Sequence, residues 1–351
     1  MLKNLHTKMI EKKTLPSWGQ ILLKSLKFLG FKDPKLLFRT MNQGDVSFAS
    51  DKLLGMGFTS LAGLFQSALI LAKIHDNRKL YGDVGERKAK NDFMSFTKAV
   101  WPEFIEGAHH RIIAQKFNDL ANKKINRLII NMPPRHTKSE FASYLLPAWM
   151  VGRNPKLKII QATHTADLAV DFGRKTKNLV DQENYKELFD TRLMEDSQAA
   201  GKWKTEQGGE YFAAGVGGAI SGRGADLLII DDPHKEQDIK KDSKSFDKAW
   251  NWYTSGPRQR LQPGGKIVLV MTRWSTKDLT GMLVKNQKEP KADQWHVVEF
   301  PAIMEHGSRN AKPVWPEYWK LDELEKVQAT LPTGKWNAQW MQNPTAEEGA
   351  I

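Results

Sequence analysis

The stretch Asn131–Glu140, NMPPRHTKSE, decides how the rest of the chain is read. The apolar run Arg127–Met132 (RLIINM) predicts a buried strand, Pro133–Thr137 a tight turn, and Ser139–Trp149 a helix. A strand, a phosphate-sized loop and a helix opening on Lys138-Ser139 make the layout of a P-loop. In that layout backbone N–H groups and the helix N-terminus face the β- and γ-phosphates of a nucleotide, a lysine adds charge, and a hydroxyl ligates Mg²⁺. Pro134, Arg135, His136, Thr137, Lys138 and Ser139 are therefore the candidate nucleotide contacts, Ser139 being the metal-ligating hydroxyl. Met132 and Thr137 stand where the pattern G-x-x-x-x-G-K-[ST] has its glycines, and the alternative is a proline-stiffened surface turn with a chance Lys-Ser.

Downstream, Asp226–Asp232 (DLLIIDD) reads as an apolar strand ending in two adjacent carboxylates. An acid at the C-terminal end of a central strand can hold the Mg²⁺ of a nucleotide, and its neighbour can orient or deprotonate the attacking water. Asp231 suits the metal and Asp232 the water. The bland reading is a strand running into a polar turn, DDPH, but each feature supports the other.

Between these motifs in sequence, Lys156–Thr163 (KLKIIQAT) predicts a further strand and Ala166–Asp181 a helix. That inserted strand marks the additional-strand, catalytic-acid division of P-loop NTPases, if right-handed crossovers order a parallel sheet. Lys266–Thr272 (KIVLVMT) predicts the next strand, ending in Met271-Thr272-Arg273-Trp274, and WHVVEF another. VWPEYWKLDELEKV then reads as a small helical lid whose tryptophans pack the core and lid rather than stack on bases.

The 351 residues carry 53 Lys+Arg against 40 Asp+Glu, a net +13, with a pI near 9.6. That balance favours a polyanionic partner, nucleic acid or an anionic membrane face. The absence of Cys excludes disulfides, thiolate zinc sites and cysteine nucleophiles. Met1–Lys27 alternates lysines with short apolar pieces, unlike a signal peptide, so the expectation is intracellular. Leu53–Ala72 is uncharged for a membrane-spanning length, yet its three glycines and its Thr, Ser and Gln lower its hydrophobicity, and a buried or interfacial helix is expected instead. Asp76–Lys90 reads as a charged linker. The fold expected is α/β: a helical N-terminal extension (1–90), a P-loop ATPase core with a mainly parallel central sheet (91–300), and a C-terminal lid and linker (301–351).

Taken together, PPRHTKSE, GAISGRGADLLIIDDPHK, IVLVMTRWSTKDLTGML and WNAQWMQNPTAEEGAI resemble the ATPase half of the large terminase subunit of tailed bacteriophages, from about Phe104 to Ile351. The resemblance implies a DNA-packaging motor that binds ATP and Mg²⁺, works as a homo-oligomeric ring on the portal protein with the small terminase subunit, and acts on double-stranded DNA in the host cytoplasm. It implies roles for further residues. Arg223, in the glycine-rich Gly215–Gly224, becomes a candidate arginine finger reaching the neighbouring subunit's nucleotide. Thr272 becomes a candidate coupling hydroxyl, with Arg273 its possible sensor neighbour; Arg135 is either a γ-phosphate sensor or a solvated arginine. His110 and Arg111 stand where the family holds the adenine, but a helix start with satisfied surface histidines is the preferred reading. In the family the closing NPTAEEGAI leads toward a nuclease domain absent from this sequence, so no nuclease activity is expected of it. Asp232 occupies a place where many relatives have glutamate. The alternatives are a nucleic-acid-stimulated helicase or translocase, and a nucleotide-binding scaffold that does not turn over.

Overall fold

The computed structural model describes residues 85, 87–220, 222–236 and 244–345. The N-terminal extension up to 84, with the uncharged stretch 53–72, lies outside the described residues, as does the end of the chain from 346. Among the described residues no helix is long and apolar enough to cross a membrane.

The central sheet has eight strands: β1 Arg127–Asn131, β2 Lys158–Thr163, β3 Leu193–Ala199, β4 Lys202–Thr205, β5 Glu210–Gly215, β6 Ala225–Asp231, β7 Leu261–Met271 and β8 His296–Glu299. Their order across the sheet is β3-β4-β5-β2-β6-β7-β1-β8. The six strands from β5 to β8 in that order are parallel, and β3 and β4 add an antiparallel edge. The chain is thus α/β with a mainly parallel sheet. β7 is the strand lying between the loop-bearing β1 and the acid-bearing β6, while β2, which lies between those motifs in sequence, is on the far side of β6. The additional strand is there; its identity differs, because β2 crosses over two sheet positions that later strands fill.

Both faces are covered, which is why the parallel strands read as continuous apolar runs. Leu128, Ile130, Ile159, Leu227, Ile229, Val268 and Val270 point to one layer, packed on Phe93, Phe117, Phe141 and Trp149. Their alternates Ile129, Ile160, Leu228, Ile230, Ile267 and Leu269 point to the other, against Trp252, Tyr253 and Leu283. The first layer is built by α1 Phe93–Val100, α2 Ala108–Ala121 and α3 Leu146–Arg153, with α4 Ala166–Val180 and α5 Glu183–Leu188 following; α6 Ser245–Ser255 and α7 Leu279–Asn286 serve the second. Side-chain caps fix the helix starts: Asp92 accepts from the Ser95 N–H at 2.8 Å, and Asp278 from that of Gly281 at 2.9 Å.

The helix after the loop does not open as a regular α-helix. Glu140–Leu145 forms a π-helical turn before α3. Pro147 supplies the physical reason: it has no N–H for the Ser143 carbonyl and its ring crowds that oxygen, and the wider turn absorbs both.

The C-terminal part adds a two-stranded ribbon (β9 Ile303–Met304, β10 Lys312–Pro313) and the helices α8 Leu321–Thr330 and α9 Thr333–Gln339. They close on Ala302, Ile303, Leu324, Trp336 and Trp340. Of the two tryptophans expected to pack, Trp315 is buried and Trp319 is half-buried against the core; Trp336 and Trp340, further along, are buried as well.

Candidate active site

Three strand ends meet at one edge of the sheet. β1 runs into the loop 132–139, β6 ends on Asp231, and β7 ends at Met271, where Thr272 follows. Lys138 Nζ lies 2.9 Å from Asp232 Oδ2. Asp232 Oδ1 accepts the backbone N–H of Thr272 at 2.8 Å, and the Thr272 hydroxyl donates to the Met132 carbonyl at 3.3 Å. Lysine, carboxylate and threonine therefore form one continuous hydrogen-bonded set linking loop, acid strand and β7.

Asp231 is buried, with 2% exposure. The Ser139 hydroxyl donates to its Oδ1 at 3.1 Å and that of Ser143 to its Oδ2 at 2.7 Å. Burial and the Asp232 charge raise the Asp231 pKa, against the opposing pull of Lys138 and the two hydroxyls. For Lys138, burial alone lowers the pKa, but the Asp232 and Asp231 carboxylates outweigh it and the net shift is upward, so the lysine stays charged. Asp231 and the Ser139 hydroxyl suit Mg²⁺: a buried carboxylate with only hydroxyl donors in hydrogen-bonding contact is short of positive charge, and Mg²⁺ favours one or two carboxylates with hydroxyl, water and phosphate oxygens. Among the described residues no cluster of three or more His, Asp or Glu could hold a metal ion by itself.

The loop reaches this shape without glycine. Arg135 has φ +61° and Thr137 φ +67°, both left-handed, and Asp232 has φ +43°. Left-handed backbone is costly for residues with a Cβ and most so for β-branched ones, about 1–2 kcal/mol each. Three such residues within one site mark where the fold concentrates strain. Thr137, in the second glycine position, takes the conformation a glycine there would take.

The remaining candidates separate by environment. Arg135 is exposed at the loop apex. His136 is completely buried: its ring stacks on Trp319 with centroids 5.9 Å apart and its Nδ1–H donates to the Pro134 carbonyl at 2.8 Å. Its side chain faces the C-terminal helices, which leaves its backbone for a phosphate. Burial lowers its pKa to about 4, so it is neutral. Arg273 is locked by two bonds to Asp278, at 3.2 and 3.0 Å, and one to Glu299 at 3.1 Å. Arg223 pairs with Glu210 and lies over the Phe212 ring at 4.0 Å, away from Lys138 and Asp231 of its own chain. Arg111 sits on the surface against Glu106.

Two contacts at the site were not expected from the sequence. Ser143, one helical turn beyond Ser139, completes the grip on Asp231; spacing four residues after the loop serine is the signal that could have found it. His110, expected as a surface histidine, is fully buried, with Nε2 2.6 Å from Thr137 Oγ1. Its burial follows from the aromatic residues that fold around it, which no local pattern announces.

No protein-family model matches the sequence, and no curated protein does. Among solved structures, the chain is similar to the large terminase of bacteriophage HK97, with 11% identity and a TM-score of 0.47 over 69% of this chain and 51% of that one. A mutant ATPase domain of the Thermus phage P74-26 large terminase aligns with 11% identity and a TM-score of 0.47, over 71% of this chain and 98% of that one. The large terminase of a thermophilic bacteriophage, in complex with ATP-γ-S, aligns with 9% identity and a TM-score of 0.39, over 65% of this chain and 52% of that one. The chain therefore spans about half the length of the HK97 protein and of the ATP-γ-S-bound one.

Proposed function

We propose that this chain is an Mg²⁺-dependent ATPase of the large-terminase kind, which drives double-stranded DNA into a procapsid. In this reading it works as a ring on the portal protein with the small terminase subunit, in the host cytoplasm. The observation that carries the proposal is the contact network of Lys138, Ser139, Asp231, Asp232 and Thr272 at the carboxyl ends of three neighbouring strands, one of them leading into a phosphate-sized loop. Open α/β sheets bind ligands at that end.

Each residue has work there. The loop N–H groups and Lys138 hold the β- and γ-phosphates, so Lys138 must leave Asp232 for the nucleotide. That exchange frees the Asp232 carboxylate to orient the attacking water and take its proton, while the Thr272 N–H keeps the carboxylate aimed. Ser139 and Asp231 would hold the metal, which would supply positive charge against the phosphates. Because Thr272 also bonds the start of the loop, a change at the phosphates is passed to β7 and the elements after it. Arg223 acts in trans and has to be released from Glu210 to do so. The net charge of +13 suits gripping DNA through its phosphates without sequence preference.

Steady-state phosphate release, measured against protein concentration with Mg²⁺, tests this. Activity per subunit should rise with concentration, and Lys138→Ala should lower it by about a thousandfold or more, as expected when a principal phosphate-stabilising charge is lost. Arg223→Ala and Asp232→Ala should each be inactive alone and partly active when mixed, because one subunit then lends the finger and the other the acid. A wild-type protein that never releases phosphate, assembled or with DNA, is a nucleotide-binding scaffold and not a motor.

A further inference from the structure

The loop that carries Lys138 lacks the glycines that usually permit its shape, yet Thr137 holds the left-handed conformation at φ +67°. Something outside the loop has to hold it there. The Thr137 hydroxyl donates to the His136 carbonyl at 2.6 Å, which leaves its oxygen free to accept. The partner is His110, on the first turn of α2, with Nε2 at 2.6 Å. The tautomer follows from the other ring nitrogen: Nδ1 lies 2.9 Å from the Gly107 N–H, which can only donate, so Nδ1 accepts and Nε2 carries the proton. Both ring nitrogens are thus used, one on the start of its own helix and one on the loop.

The ring has little freedom to turn away. Phe104 and Phe141 lie against it with centroids 4.8 and 5.0 Å away, and Trp315 meets it edge-on at 4.8 Å. Beneath it, a Cβ on Gly107 would come within 2.7 Å of Trp315, so the backbone that fixes Nδ1 sits in close contact with the aromatic box. An apolar side chain could fill such a box at lower desolvation cost; an imidazole there is explained by the two polar groups it joins.

We infer that His110 is a positioning residue: its Nε2–H holds Thr137, and through it the backbone before Lys138, in the phosphate-binding conformation that glycine would supply unaided. This rests on the reading of the loop as a nucleotide site. It makes a demand that ordinary core packing does not: the contribution of His110 must depend on which residue occupies position 137.

Equilibrium titration with a fluorescent ATP analogue and Mg²⁺ tests it, on wild type, Lys138→Ala, His110→Ala, His110→Gln, Thr137→Gly and the double variant His110→Ala/Thr137→Gly. Loss of one hydrogen bond of this kind corresponds to about tenfold in affinity, so His110→Ala should weaken binding by about that factor. His110→Gln, whose amide can donate to the same oxygen, should recover most of it. In the Thr137→Gly background, His110→Ala should change affinity less than about twofold, since glycine needs no tie. Should His110→Ala fail to fold, Thr137→Val removes the acceptor and leaves the imidazole in place; it should show the same tenfold loss, and full affinity would overturn the inference. An equal loss from His110→Ala in both backgrounds, or none in wild type, also overturns it. Binding that Lys138→Ala abolishes but His110 does not affect defeats the inference alone, whereas a wild type that binds no nucleotide defeats the nucleotide reading with it.

Discussion

Asp231 is held by two hydroxyls, from Ser139 and Ser143, on a helix that is π-wound between them. Gln161 donates to the Ser143 hydroxyl oxygen at 3.0 Å, which orients its proton toward the carboxylate. Were Ser139 to serve as a metal ligand, Ser143 would be left to orient Asp231. Ser143→Ala should therefore lower ATP turnover by about tenfold while moving the melting temperature by several degrees, because the alanine fits the space and two hydrogen bonds, to Asp231 and from Gln161, are lost. Calorimetry beside a phosphate-release assay checks this, and an unchanged turnover would remove Ser143 from the site. At this scale the sequence shows residues whose type and local pattern coincide: Lys138 and Ser139 after a turn, Asp231 and Asp232 at the end of an apolar run. It hides Ser143 and His110, whose roles come from three-dimensional neighbours far away in the chain.

The elements that present these residues are tied from behind. Asp278, fully buried at the start of α7, accepts from the backbone N–H groups of Trp274, Ser275 and Gly281 and also receives the Arg273 guanidinium. Arg273 reads in sequence as a possible phosphate sensor because it follows Thr272, but the structure shows it occupied in fixing the turn between β7 and α7. The signal was adjacency, and adjacent residues at a strand end point in different directions. Asp278→Asn keeps the shape and removes the charge, leaving a buried guanidinium with Glu299 alone; the expected cost is about 3 kcal/mol. In a domain of this size that is roughly a 10 °C fall in melting temperature, measurable by calorimetry. A fall of under about 2 °C would show that Glu299 alone suffices. The loop 132–139 is tied in the same manner, its His136 ring stacked on Trp319 near the C-terminal helices.

For the whole molecule, the fold was legible wherever strands are buried on both faces. RLIIN, KIIQAT, ADLLIID and the later part of β7 are apolar because helices cover both sides, and their ends mark the site. The antiparallel edge was not legible: β3 and β4, LMEDSQA and KWKT, mix charged and apolar residues, and an edge strand needs no continuous apolar run. Strand order was legible only as a division, since sequence order does not say which strand fills the place beside β1. The way this core is filled also has a consequence for acid stability. His109, His110, His136 and His234 are all buried, and burial lowers their pKa values to about 3, 2, 4 and 4. In the unfolded chain each titrates near 6.5, so below that pH the unfolded state binds protons that the folded state refuses. Stability is then complete above about pH 7 and falls as pH drops, by about 1.4 kcal/mol for each histidine between pH 7.5 and 5.5. Asp231, whose pKa is raised to about 7, works in the opposite sense and offsets somewhat more than one histidine's share. The net loss, about 3–4 kcal/mol over those two pH units, is a large share of the stability of many domains. Urea unfolding at the two pH values measures it, and His109→Gln should flatten the difference by about 1.4 kcal/mol; equal stability at both would mean that these histidines are not held neutral in the core.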